Sequence, residues 1–163
     1  MLSTHVFNVP AEAMHDLFAY GTLMCADIMH AVSGCPQLAA SPGLLHGYSR
    51  LCVRGEHYPG LVPRPGASVE GVVYHDLPAD AWARLDRFEG DMYVRASVGV
   101  ELDGAKVRRM QTYLVRPGLV GRLEDRVWEL ENFLHHGKAE FERAYAGYAA
   151  LLASHSTRNA GDD

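Results

Sequence analysis

The sequence predicts an α+β fold in which a small closed sheet is wrapped by helices. Three observations lead there. Strand-like and helix-like segments interleave along one chain of 163 residues, a length that fits a single domain. Two β-rich runs at 93–102 and 105–115 flank Asp103-Gly104, the strongest short signal for an antiparallel hairpin. A 48% share of hydrophobic residues is enough for a real core and argues against disorder. The hairpin makes part of the sheet antiparallel, which disfavours a doubly wound parallel sheet.

Taken in order, "LFAYGTL" (17–23) reads as a buried strand that stops at Gly21 and hands the chain to a short helix over 24–33, ending near Gly34. "GLLHGYSRLCV" (43–53) reads as a strand. "EHYPGLVPRPGASV" (56–69) reads as a loop because proline and glycine are dense there. "EGVVYHDL" (70–77) is the next strand. "PADAWARLDRFEG" (78–90) is a helix with Pro78 at its start and Gly90 just past its end. Trp82, Leu85 and Phe88 recur there at near-helical spacing and mark the buried face. After the hairpin, 120–137 and 138–155 read as two helices punctuated by Gly137. On the second, Phe141, Tyr145, Tyr148 and Leu152 share a face. The core is expected over about 17–153, with flexible flanks at 1–15 and 155–163.

Charge and composition exclude several classes. The net charge is −5 and the basic residues are scattered arginines apart from Lys106 and Lys138, so no nucleic-acid or membrane-binding patch is expected. The first sixteen residues carry neither a basic region nor a long apolar run, and read as no signal peptide. Cys25, Cys35 and Cys52 are odd in number and form no C-x-x-C pair. That favours a reducing cytoplasm over a disulfide framework. Nine histidines show no metal-ligand spacing, and adjacent His135 and His136 point in different directions on a helix. No G-x-S-x-G elbow, P-loop or dinucleotide fingerprint occurs. No metal or cofactor is expected, and the oligomeric state is left open.

Two segments carry candidate chemistry. A strand that stops at Gly21 before a helix gathers unpaired backbone N–H groups, and a glycine there can take a positive φ and bare the backbone to a ligand. The bland alternative is an ordinary tight turn. Glu89 closes its helix beside Phe88 and Met92. The helix C-terminus and apolar neighbours both favour a raised pKa, which suits a group that takes and returns a proton. The bland alternative is a solvated glutamate. Asp86, three residues earlier, can face the same side, and Asp86 and Asp91 read as surface or cap residues.

"FAYGTL", "YPGLV", "VEGVVYHDL", "LDRFEGDMYVRASVGV" and "QTYLV" occur in that order. The set resembles the γ-glutamylcyclotransferase-like family, which includes γ-glutamylamine cyclotransferases and avirulence-induced plant proteins. The likeness covers roughly residues 17 to 145. It implies a small mixed, barrel-like sheet with surrounding helices. It implies cyclisation of a γ-glutamyl amine or peptide to 5-oxoproline with release of the amine: an intramolecular acyl transfer with lyase-type C–N cleavage. It also implies that Glu89 is the acid/base catalyst and that Tyr20, Gly21, Thr22 and Leu23 hold the substrate. Tyr93 and Tyr113 match lining tyrosines of the family, with aromatic packing on strands as the alternative. Arg95 would either meet a carboxylate or cap the strand surface. Segments 34–42 and 55–69 are expected to choose the leaving group. The alternative function is a non-catalytic small-ligand-binding or interaction module on the same fold. In an interaction module, Phe133 and Tyr148 would sit on an exposed apolar patch.

Overall fold

The computed structural model describes residues 15–104 and 106–145. The expected flanks, apart from His15, lie outside the described residues, as do Tyr148 and Leu152. The chain begins with β1 (Leu17–Ala19), a single 3-10 turn (Thr22–Met24) and helix α1 (Ala26–Ser33). Strands β2 (Ala40–Val53) and β3 (Pro59–Tyr74) follow, then α2 (Ala79–Glu89). Next come β4 (Tyr93–Leu102), β5 (Lys106–Val115) and β6 (Leu123–Val127). A helix, α3, starts at Leu130–Asn132, widens into a π-turn over Phe133–Gly137 and continues through 138–145.

The strand order is β3-β1-β5-β4-β2-β6, and β2 also pairs with β3. That last pairing closes β1 to β5 into a five-stranded barrel, and β6 extends it from β2. Closure removes the exposed edges that an open sheet would present. All pairings are antiparallel except β1 with β5. The fold is therefore α+β with a small mixed barrel, as expected.

Why these residues build a barrel follows from their two-sided burial. All three residues of β1 are buried, with Phe18 packed inside the barrel among Leu45, Leu61, Val73, Val100 and Met110. Leu17 and Ala19 face the other way, into a second cluster with Met29, Val32, Leu77, Trp82 and Leu85 under the helices. A strand buried on both faces reads as a continuous apolar run, which is why "LFA" lacks polar alternation. Close packing at the barrel wall leaves no room for a side chain at Gly71, where a Cβ would lie 2.5 Å from the Ala19 carbonyl oxygen.

Several local expectations are corrected. Residues 59–69 are part of β3, not a loop. Their prolines and glycines serve a bulge: Tyr48 pairs with Pro63 but His46 with Ser68, so residues 64–67 loop out opposite Gly47. Proline tolerates the first residue of a strand and bulges, where a ladder N–H is not needed. Residues 123–127 form β6, not helix, because pairing of Leu123 and Val127 with β2 overrides the helical propensity of "RLEDRV". Strand β1 stops at Ala19 and α1 starts at Ala26, so the expected strand and helix are both shorter, with the 3-10 turn between them. Gly137 does not end a helix; it sits within α3, where the ring of His57 leaves no space for a Cβ. The hairpin forms as read, with positive φ at Asp103 and Gly104 and Leu102 paired to Lys106.

Gly71→Ala is expected to destabilise the barrel by about 1–3 kcal/mol, the usual cost of overpacking. Urea unfolding measures this; an unchanged midpoint would show that the wall can yield.

Candidate active site

Glu89 is the last residue of α2, and what ends that helix decides where the carboxyl goes. Gly90 follows with φ 71° and ψ −159°, a conformation almost confined to glycine, and its N–H donates to the Asp86 carbonyl. The chain then makes a 3-10 turn (Gly90–Met92) and enters β4. Glu89 is thereby held beside Tyr93, in a cleft that is open to solvent.

Glu89 is half-buried and lines this cleft. The environment of the carboxyl sets its proton affinity, so its pKa is pushed from 4.5 to about 8, first by desolvation and then by the charge of Asp86. No described residue hydrogen-bonds that carboxyl to offset the cost.

The Tyr20–Leu23 segment forms the facing wall. Its carbonyls are tied down. Arg50 Nη1 donates to the Tyr20 oxygen at 2.8 Å, and the Tyr74 hydroxyl donates to the Leu23 oxygen at 2.7 Å. The Gly21 and Thr22 oxygens accept from the Met24 and Cys25 N–H groups of the 3-10 turn. The N–H groups of Gly21, Thr22 and Leu23 meet no acceptor among the described residues. Four satisfied carbonyls beside three free donors leave a locally electropositive backbone, suited to a carboxylate or an oxyanion. Gly21 has φ −125°, so the expected positive φ is corrected. The glycine is required by proximity instead: a Cβ would fall 2.8 Å from Cγ of Pro59, the first residue of β3.

The tyrosines are pinned by their hydroxyls. Tyr20 donates to the Tyr113 carbonyl at 2.6 Å, Tyr93 to the Pro59 carbonyl at 2.7 Å, and Tyr113 to Asp86 Oδ1 at 2.7 Å. Burial drives all three hydroxyls far above the usual tyrosine range, so they act as neutral donors. Asp86 is thus no bystander: it accepts from Tyr113 and biases Glu89. Arg95 takes the surface alternative, with Nε 3.5 Å from Asp86 Oδ1 and its guanidinium over the Trp82 ring.

Tyr20, Gly21, Thr22, Leu23, Glu89, Tyr93 and Tyr113 all line this one cleft. Sequence reasoning missed Tyr58, Pro59, Phe141 and Tyr145 as lining residues, and Arg50 and Tyr74 behind the wall. The shared helical face of Phe141 and Tyr145 was the available signal, but what that face covers is a tertiary matter. The expected selector segments are corrected: from 34–42 and 55–69 only Tyr58 and Pro59 reach the cleft. Phe133 is 2% exposed and belongs to the core, so it cannot mark an exposed patch. No group of metal-ligating side chains occurs among the described residues, and no helix there is long and apolar enough to cross a membrane.

A five-stranded α+β barrel with a carboxyl-bearing cleft at one end defines the class of protein. The profile described as "Gamma-glutamyl cyclotransferase, AIG2-like" matches residues 17–138, and the chain belongs to that family. It is 29% identical over 139 residues to AIG2-like protein C of Arabidopsis thaliana, covering 82% of this chain and 77% of that one. A solution structure of another Arabidopsis thaliana protein superposes with a TM-score of 0.59 at 20% identity, covering 86% and 91% of the two chains. A structure described as gamma-glutamyl cyclotransferase superposes with a TM-score of 0.57 at 22% identity, covering 68% of each. At those identities the structural matches speak for the fold alone.

A buried carboxyl also makes stability depend on pH. Unfolded, Glu89 releases its proton near pH 4.5; folded, it holds it to about pH 8. Between those values unfolding releases a proton, so rising pH favours unfolding. Glu89→Gln removes the effect. Its melting temperature should match wild type near pH 5 and exceed it near pH 9. An equal offset at both pH values would mean that the carboxyl is solvated.

Proposed function

We propose that this protein cyclises a γ-glutamyl amide to 5-oxoproline and releases the amine, with Glu89 as general acid/base. The observation that supports this reading is one cleft holding a carboxyl that titrates near pH 8 opposite three backbone donors without acceptors.

The substrate's own α-amine attacks its γ-carbonyl carbon and closes a five-membered ring. Because both reacting atoms belong to one molecule, the site's task is to fold the substrate and move protons. The ionised form of Glu89 takes a proton from the substrate ammonium. The freed nitrogen bonds to the carbonyl carbon, and the oxygen becomes an oxyanion. Glu89 then gives the proton to the departing nitrogen, and the C–N bond breaks. In all, the attacking nitrogen loses two protons and the leaving one gains two, so no external acid, metal or redox partner is needed for balance. A pKa near the working pH suits a group that must act in both directions. The Gly21–Leu23 amides hold either the substrate α-carboxylate or the oxyanion, and Tyr20, Tyr93 and Tyr113 shape the wall around them.

Incubation with γ-glutamyl amides and quantification of 5-oxoproline tests this directly. Glu89→Gln should lower kcat by about 100-fold or more, the range for losing a general acid/base; retained activity rules the mechanism out. The kcat/KM of wild type should rise with pH through about 8, as Glu89 ionises. Asp86→Asn removes the neighbouring charge and should move that midpoint to lower pH. A midpoint that does not move would dissociate Asp86 from the proton transfer.

A further inference from the structure

Much of the rest of the cleft lining is built of rings. Phe141 stacks on Tyr145 with centroids 4.5 Å apart, and Phe88 meets them at 6.3 and 5.6 Å. Tyr58 meets Tyr93 edge-on at 6.5 Å. The polar edges of these rings are turned to the protein. Tyr93 donates to the Pro59 carbonyl, and the Tyr58 and Tyr145 hydroxyls are hydrogen-bonded to each other. A ligand here meets hydrocarbon faces and at most one spare hydroxyl proton.

Charge sharpens the point. Among the described residues, no arginine, lysine or histidine lines the cleft. Arg50 and Arg95, which stand behind the lining, are occupied. Arg50 donates to the Tyr20 and Trp128 carbonyls, and Arg95 sits on Asp86 and Trp82. The lining itself carries one ionisable carboxyl, Glu89, and Asp86 stands behind it as the acceptor of the Tyr113 hydroxyl. The Gly21–Leu23 amides serve the γ-glutamyl half of the substrate. A second carboxylate, such as an amino-acid leaving group brings, would be desolvated without a partner and repelled by its neighbours.

We infer that the amine released by this protein carries an apolar or aromatic substituent and no carboxylate. The inference rests on the cyclisation reading above and specifies its leaving group: the same C–N bond breaks, and the product is a free apolar amine beside 5-oxoproline. Phe88, Phe141 and Tyr145 act as specificity-determining residues, stacking on the substituent.

Matched substrates test it. γ-Glutamylbenzylamide and γ-glutamylphenylglycine differ by one carboxylate, and γ-glutamylmethylamide lacks the ring. With the full chain, kcat/KM for the benzylamide should exceed that for the phenylglycine compound by about 100-fold. Phe141→Ala should lower the benzylamide-to-methylamide ratio by about 10-fold, and Phe88→Ala gives a second measurement if the first variant does not fold. Turnover of phenylglycine as fast as benzylamide, or a ratio that neither variant changes, overturns the inference and leaves the cyclisation standing. Failure of all three compounds to release 5-oxoproline overturns both.

Discussion

A partly desolvated carboxyl is the constraint around which this end of the molecule is arranged. Desolvation is the larger cause of the high proton affinity of Glu89, and the charge of Asp86 adds to it. Three walls hold solvent back from that carboxyl in a cleft that stays open. β1 and the 3-10 turn supply one wall, the end of α2 and the start of β4 the second, and α3 the third. Each wall is anchored by interactions remote from Glu89. Arg50 and Tyr74 tie the turn's carbonyls to β2 and β3. Lys138 on α3 reaches Asp27 on α1 at 2.7 Å, and His57 bonds Glu140 at 2.6 Å. The latter contacts are exposed, so they orient α3 more than they stabilise it; the buried packing of Phe133 and Phe141 against the core holds it in place.

The barrel explains why so small a chain can hold such a site. Closing β3 onto β1 and β2 buries β1 on both faces, and that rigid strand delivers the turn to the cleft in one position. Hydrogen bonds then settle where polarity points. Carbonyls and tyrosine hydroxyls are spent on protein partners, whereas the amides of Gly21, Thr22 and Leu23 are left over. A site in which most polar groups are satisfied and a few donors are not is partly preorganised, because those donors need not break a protein hydrogen bond to meet a ligand. The rings of Tyr58, Phe88, Tyr93, Phe141 and Tyr145 line the same cleft.

By itself the sequence determined the features that depend on neighbouring residues. The Asp103-Gly104 hairpin, the span of α2 between Pro78 and Gly90, and the apolar run of β1 follow from backbone conformation and local patterning. Glu89 was legible as a candidate because helix end, apolar neighbours and Asp86 all lie within a few residues of it. The tertiary structure alone decided what pairs or packs at a distance. It turned the proline-rich 59–69 into a strand, because β2 supplies a partner and a bulge absorbs the prolines. It turned 123–127 into β6 for the same reason. It made Gly21 necessary through Pro59, thirty-eight residues away, rather than through its own φ. It also brought Tyr58, Phe141 and Tyr145 to a carboxyl whose sequence position says nothing of them. Local propensity is fixed by the chain's own covalent neighbourhood, whereas desolvation and steric approach depend on which segments meet, and only the closed barrel specifies that.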